Sequence, residues 1–144
     1  PEGDYYVPIG VADVKRQGSD VTVVSYGMTM HYALQAAEEL ARDEGIEVEV
    51  VDLRTLLPLD RQTIVESVKK TGKLLVIHED NLTGGVGGEI AATVASEAFM
   101  YLDAPIRRLA ALDVPSTPYH PVLERAMLPS KAQVKEAILD LARY

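Results

Sequence analysis

The chain has 144 residues, 47% of them hydrophobic and 25% charged, which suits one globular domain with a single sizeable core. Its net charge of −8, from 22 acidic against 14 basic residues, repels nucleic acid and favours basic partners. No apolar run reaches the roughly 18 residues of a membrane span, no start resembles a signal peptide, and the lack of cysteine excludes disulfides, thiolate chemistry and cysteine metal sites.

Residues 1–10 open on Pro1 and the polar, turn-like PEGDYY, which reads as a linker from an upstream domain; the folded domain is expected over 11–144. Val11 to Arg16 alternates apolar and polar residues, as a half-exposed edge strand does. Gly18-Ser19-Asp20 marks a turn. Val21 to Ser25 (VTVVS) is β-branched and reads as a buried strand. From Met30 to Glu44 the apolar residues Met30, Ala33, Leu34, Ala37, Leu40 and Ala41 share one helical face, with Thr29 as the expected cap and Gly45 as the stop. Glu47 to Leu53 reads as a second core strand.

Asp60 predicts a helix start, and Leu59 and Ile64 are spaced as a hydrophobic staple across it. Gly72 ends that helix. Lys73 to Ile77 (KLLVI) is apolar enough to be buried on both faces of a sheet. Glycine-rich Thr83 to Gly88 leads into a third helix with Val86, Ile90, Val94 and Ala98 inward. Ile106 to Leu109 is the next strand, interrupted by Arg107 and Arg108. Pro115, Pro118 and Pro121 predict an irregular loop, and Ser130 with Gln133 predicts a capping box for a last helix with Val134, Ile138 and Leu141 inward. The order βαβαβαβα, with one extra strand in front, demands parallel pairing and a three-layer α/β/α domain.

The segment with most chemical character is His78 to Glu89 (HEDNLTGGVGGE), which leaves a central strand and opens a helix. Ligands of open α/β sheets sit at such places, and helix N-termini offer free N–H groups to anions. Against a phosphate site, the glycines do not spell G-x-G-x-x-G, no GK[ST] follows, and Glu79, Asp80 and Glu89 surround the loop with negative charge. The simpler reading is that glycine permits a tight turn and close backbone contact. His78, Glu79 and Asp80 point alternately along an extended chain, so they form no acid–base cluster without a bend. His120 and Glu124 at i, i+4 are two ligands where zinc needs three or more. His31 belongs near a helix start, facing solvent or capping. No histidine has a triad partner motif. Arg107 and Arg108 read as a solvated edge or an ion pair. Tyr5, Tyr6, Tyr101, Tyr119 and Tyr144 fall in linker, loops and terminus, where amphipathic rings serve subunit contacts or ordinary partial burial.

Seven segments in order, VPIG (7–10), GSDVTVVSYG (18–27), VDLRTLLPLD (51–60), VKKTG (68–72), HEDNLTGGVGGE (78–89), LDAPIR (102–107) and DVPSTPY (113–119), together resemble the beta subunit of 2-oxo acid dehydrogenase decarboxylating components. The resemblance covers nearly the whole chain. The HED-x-x-TGG form looks more like branched-chain enzymes than pyruvate enzymes. It implies the transketolase C-terminal fold, a mostly parallel five-stranded sheet with one antiparallel edge strand and helices on both faces. It further implies a parent enzyme that uses thiamine diphosphate and magnesium, decarboxylates a 2-oxo acid and passes the acyl group to a lipoyl domain, in the cytoplasm or the mitochondrial matrix.

The family's catalytic histidine and thiamine-activating glutamate belong to an upstream domain, and its diphosphate and magnesium to the alpha subunit. No GDG followed by a distant NN occurs here. No catalytic, cofactor-binding or metal residue is therefore carried over, and the resemblance implies assembly instead. The partners it implies are the alpha subunit, a second beta subunit, and the basic subunit-binding domain of the acyltransferase core. Asp103 in LDAP and the carboxyl-terminal Tyr144 match the surface for that basic domain. The loop His78, Glu79, Asp80, Gly84 and Gly85, with the proline-rich loop, is the expected subunit interface. Two other readings stay open: the C-terminal domain of another thiamine enzyme, of transketolase or deoxyxylulose-phosphate synthase type, and a free-standing module that binds an anion at the glycine loop.

Overall fold

Alternation along each strand divides the interior into two cores. A computed structural model describes residues 2–115 and 118–144. Its strands are β1 (Asp13–Arg16), β2 (Val21–Ser25), β3 (Val48–Asp52), β4 (Leu74–Asn81) and β5 (Arg107–Ala111). They form one sheet in the order β1-β3-β2-β4-β5, with β1 antiparallel to β3 and every other pair parallel. Val21, Val23, Val48, Val50, Leu75 and Ile77 point to one face, while Val24, Val51, Leu74 and Val76 point to the other. Both faces are buried, so these strands read as continuous apolar runs.

Helices α1 (Met28–Glu44) and α5 (Lys131–Ala142) cover the first face with Met30, Ala33, Ala37, Leu40, Val134 and Ile138. Helices α2 (Arg61–Thr71) and α3 (Val86–Glu97) cover the second with Ile64, Val68, Ile90 and Val94. The three-layer α/β/α domain with one antiparallel edge strand is thus as the sequence implies.

Local signals also land where expected. The Asp60 carboxylate accepts from Thr63 N at 3.1 Å, and Leu59 packs against the cluster that holds Ile64. Gly45 and Gly72 close α1 and α2 in the left-handed conformation, with φ of 70° and 71°. Ser130 and Gln133 form the complete capping box. Three details differ. Helix α1 begins two residues earlier than read, with Gly27 and not Thr29 at its cap; the Thr29 hydroxyl turns inward to Ser25 Oγ at 2.9 Å and to the Tyr26 carbonyl. Strand β4 continues four residues past Ile77, because its Asn81 still pairs with Ala111 of β5 across a register shift. Pro121 does not belong to an irregular loop. It opens a short helix α4 (Pro121–Met127), where its missing N–H costs nothing at the first turn.

Candidate functional site

The chain leaves β2 for β3 on one side, then crosses to β4 on the other, so the topological switch point lies between the carboxyl ends of β2 and β4. In open α/β sheets this crevice is the usual ligand site. Two helix N-termini face it, and the chain's own side chains answer both. The Glu79 carboxylate accepts from Met28 N at 3.1 Å, supplying the cap that Gly27 lacks and placing negative charge at the positive end of α1. His78 accepts from Gly87 N at 3.3 Å through Nε2, in the first turn of α3.

His78 is fully buried, while Glu79 and Asp80 are exposed, so the three diverge as strand geometry requires. The imidazole stacks on Tyr26, with ring centroids 6.1 Å apart and planes 14° from parallel. A Cβ on Gly85 would sit 2.6 Å from His78 Cε1, and one on Gly87 would sit 2.5 Å from Nε2. Gly87 therefore lets backbone touch this ring, and Gly85 lets the chain pass close to both the ring and the Asn81 carbonyl. Because Nε2 accepts, the ring proton lies on Nδ1, which is buried and makes no hydrogen bond of normal geometry, although the Asp80 backbone carbonyl is near enough to favour the proton. Burial holds the imidazole below its ordinary pKa of 6.5; the Asp80 backbone and carboxylate oppose this, and Arg108 adds to it.

The rest of the loop is fastened to the segment after β5. Asp113 accepts from Thr83 N at 3.1 Å and from the Thr83 hydroxyl at 2.6 Å, and these bonds hold its carboxyl below the usual range. Leu82 N donates to the Ala111 carbonyl, and Arg108 to the Leu82 carbonyl. The HEDNLTGG and DVPSTPY segments thus form one surface. Ser116 and Thr117 of the second segment lie outside the described residues. Leu82 and Tyr119 on these segments are exposed, as are the adjoining Leu112 and, on α4, Val122 and Leu123.

Asp103 and Tyr144 lie at the other end of the sheet. Asp103 N donates to the Gly72 carbonyl at 2.8 Å, and its carboxylate lies over Gly72, where any Cβ would collide with it. Lys73 Nζ reaches the Ala142 carbonyl at 2.9 Å. The Gly72-Lys73 turn therefore holds Asp103 and the carboxyl terminus on one side of the domain. Strand β4 separates this turn from Asp80 by seven residues, about 20 Å at the usual rise. Beside Asp103, Phe99, Met100 and Tyr101 form a single 3-10 turn and are exposed in succession. Phe99 and Met100, with Leu102, Pro105 and Ile106, line an open apolar hollow of about 520 Å³, and Lys69 stands 5.2 Å above the Tyr101 ring.

The remaining candidates resolve locally. His120 caps α4, its Nδ1 accepting from Val122 N. His31 is exposed on α1. Among the described residues no three His, Asp or Glu side chains gather as a metal cage. Sequence reasoning missed what VDLRTLLPLD does. Thr55 Oγ1 accepts from Gly10 N, Pro58 packs on Gly10, and Asp60 accepts from Ala12 N. The motif fastens the segment entering β1, and Arg54, at φ 57°, reaches back to Asp13.

Residues 10–134 match the family described as transketolase, C-terminal domain. The chain is 47% identical over its whole length to the 2-oxoisovalerate dehydrogenase subunit beta of Bacillus subtilis, covering 44% of that protein. It is 49% identical, over 94% of its length, to the pyruvate dehydrogenase E1 component subunit beta of Rhizobium meliloti, covering 29% of it. A solved split-gene transketolase, described as an inactive beta4 tetramer, superposes with a TM-score of 0.83 at 29% identity over 96% of this chain and 44% of that one. The chain thus spans less than half the length of these relatives. With sheet order, antiparallel edge strand and family match in agreement, the chain belongs to the transketolase C-terminal domain family.

Proposed function

We propose that this chain is the C-terminal assembly domain of the beta subunit of a thiamine diphosphate-dependent 2-oxo acid dehydrogenase. It joins subunits and docks the acyltransferase core, and it contributes no group to the chemistry. The observation that carries this reading is exposed apolar surface at both ends of a domain whose two cores are already closed. Phe99, Met100 and Tyr101 lie beside Asp103 at one end; Leu82, Leu112 and Tyr119 on the fastened loops, with Val122 and Leu123 on α4, lie at the other. Patches of this kind, rimmed by charge, mark protein contacts. The separation of the two ends suits two partners at once. The end with Asp103 and the carboxyl-terminal Tyr144 takes the basic subunit-binding domain of the acyltransferase. The loop end, with His78 to Gly85, takes the alpha subunit or a second beta subunit across a two-fold axis.

Thiamine diphosphate and magnesium belong to the rest of the parent enzyme, in the cytoplasm or mitochondrial matrix. Its substrate is a branched-chain 2-oxo acid or pyruvate; identities of 47% and 49% to the two kinds of beta subunit leave the HED-x-x-TGG form as the ground for the former. Calorimetric titration with an alpha subunit, and separately with the basic subunit-binding domain, tests the reading. Salt-sensitive binding supports it. A folded chain that binds neither at low salt, or one that decarboxylates a 2-oxo acid by itself, overturns it.

A further inference from the structure

We propose that His78 is a proton-operated latch on the start of α3: the neutral ring holds the Gly85–Gly87 turn, and protonation releases that turn with the Asn81–Gly85 loop. Three observations support this. Nε2 is the acceptor for Gly87 N, so the ring grips the helix only while that nitrogen keeps its lone pair. A Cβ at Gly87 would lie 2.5 Å from Nε2 and one at Gly85 2.6 Å from Cε1, so the ring packs directly against the backbone of the turn, and any shift of a charged ring presses on that turn. The ring is fully buried, and a proton added to Nε2 would point at the Gly87 N–H, itself a donor, so the closed site offers that second N–H no acceptor.

The surroundings decide the direction. From the turn after β2, Tyr26 stacks on the ring; burial, with Asp80 and Glu79, raises its own pKa, so it stays neutral and supplies no counter-charge. From β5, Arg108 opposes a positive ring. From α3 the ring meets the Gly87 N–H, at the positive end of the helix dipole. Among the described residues Asp80, on the ring's own strand, is the favourable charge, and it is exposed. Glu79 is engaged with Met28 N.

A proton therefore enters chiefly through an opened turn, where the ring regains its ordinary pKa near 6.5. Below that pH the open form is favoured by up to about tenfold per pH unit, until the lower pKa of the closed ring is reached. Since the loop carries Thr83, tied to Asp113, and exposed Leu82, the latch sets the order of the whole surface at this end of the sheet.

Amide hydrogen exchange on the chain from pH 7.5 to 5 tests the latch, with rates corrected for intrinsic chemistry. The opening constant at Gly85–Gly88 should stay level above about pH 6.5 and rise up to tenfold per unit below it, while Val23 and Val50 in the sheet change far less. His78→Gln keeps an acceptor near Nε2 but does not titrate, and should abolish the slope. A flat wild-type profile, or the same slope in His78→Gln, overturns the proposal. Should that variant fail to fold, the wild-type ring is read by proton NMR. A His78 resonance that titrates near 6.5 without moving the Gly87 amide overturns it equally; a depressed midpoint with the Gly87 amide shifting in step supports it.

Discussion

Gly87→Ala is the sharpest probe of how the loop end is built. The new Cβ would lie 2.5 Å from His78 Nε2, 2.9 Å from its Cδ2 and 3.4 Å from Val76 Cγ1. The ring is confined on two sides, because Tyr26 stacks on it and the Gly85 backbone lies against its Cε1 edge. Overpacking of this kind costs about 1–3 kcal/mol, and losing the Gly87 N–H to Nε2 bond adds about 1 kcal/mol. Alanine's better helix propensity returns at most about 1 kcal/mol. A net loss of about 1–3 kcal/mol is expected, roughly 3–10 °C in Tm for a domain of this size. Thermal melts followed by circular dichroism measure it. The decisive comparison repeats Gly87→Ala in a His78→Ala background, where the space occupied by the ring is free and the substitution should cost little. Equal costs in both backgrounds, within about 0.5 kcal/mol, would refute the claim that the ring dictates glycine here.

Asp60→Ala should cost about 2 kcal/mol, since one carboxylate both caps α2 and holds Ala12 N; chemical denaturation measures it. Burial tends to raise the Asp60 pKa, but the bonds from Ala12 and Thr63 outweigh it and leave it below 3.8. Its contribution is therefore complete above that value and lost as pH falls through the lower folded value, so acid melts of Asp60→Asn should show a weaker pH dependence than wild type. Glu79→Ala removes the acceptor at the start of α1 and should cost about 1 kcal/mol, with Glu79→Gln intermediate and less sensitive to salt. Asp103→Lys should weaken binding of a basic subunit-binding domain more than it changes Tm, as calorimetry at low salt would show; unchanged affinity would remove Asp103 from that surface.

Much of the fold was legible because its signals are local. The β-branched runs, the Asp60 and Ser130 caps, and the left-handed stops at Gly45 and Gly72 act within a few residues of themselves. The exceptions share one cause, a partner distant in sequence. Thr29 satisfies the cap pattern, yet Glu79, 51 residues on from Met28, supplies the acceptor. Strand β4 runs past its apolar stretch because β5 is there to pair with it. The candidate site divides in the same way. The HEDNLTGG loop was recognisable by its position between strand and helix, and its union with DVPSTPY was expected at the level of segments.

The sequence by itself determined the layer order, the ends of α2 and α5 at their caps, the stop of α1 and the family, since periodicity, caps and ordered motifs are written into neighbouring residues. Only the tertiary structure decided that Asp103 and the loop at His78 face opposite ends of one strand, and that the glycines at 85 and 87 serve a buried ring. It also showed that VDLRTLLPLD fastens the entering chain. Those facts depend on which segments the sheet order brings together, and no pattern within a single segment carries that information.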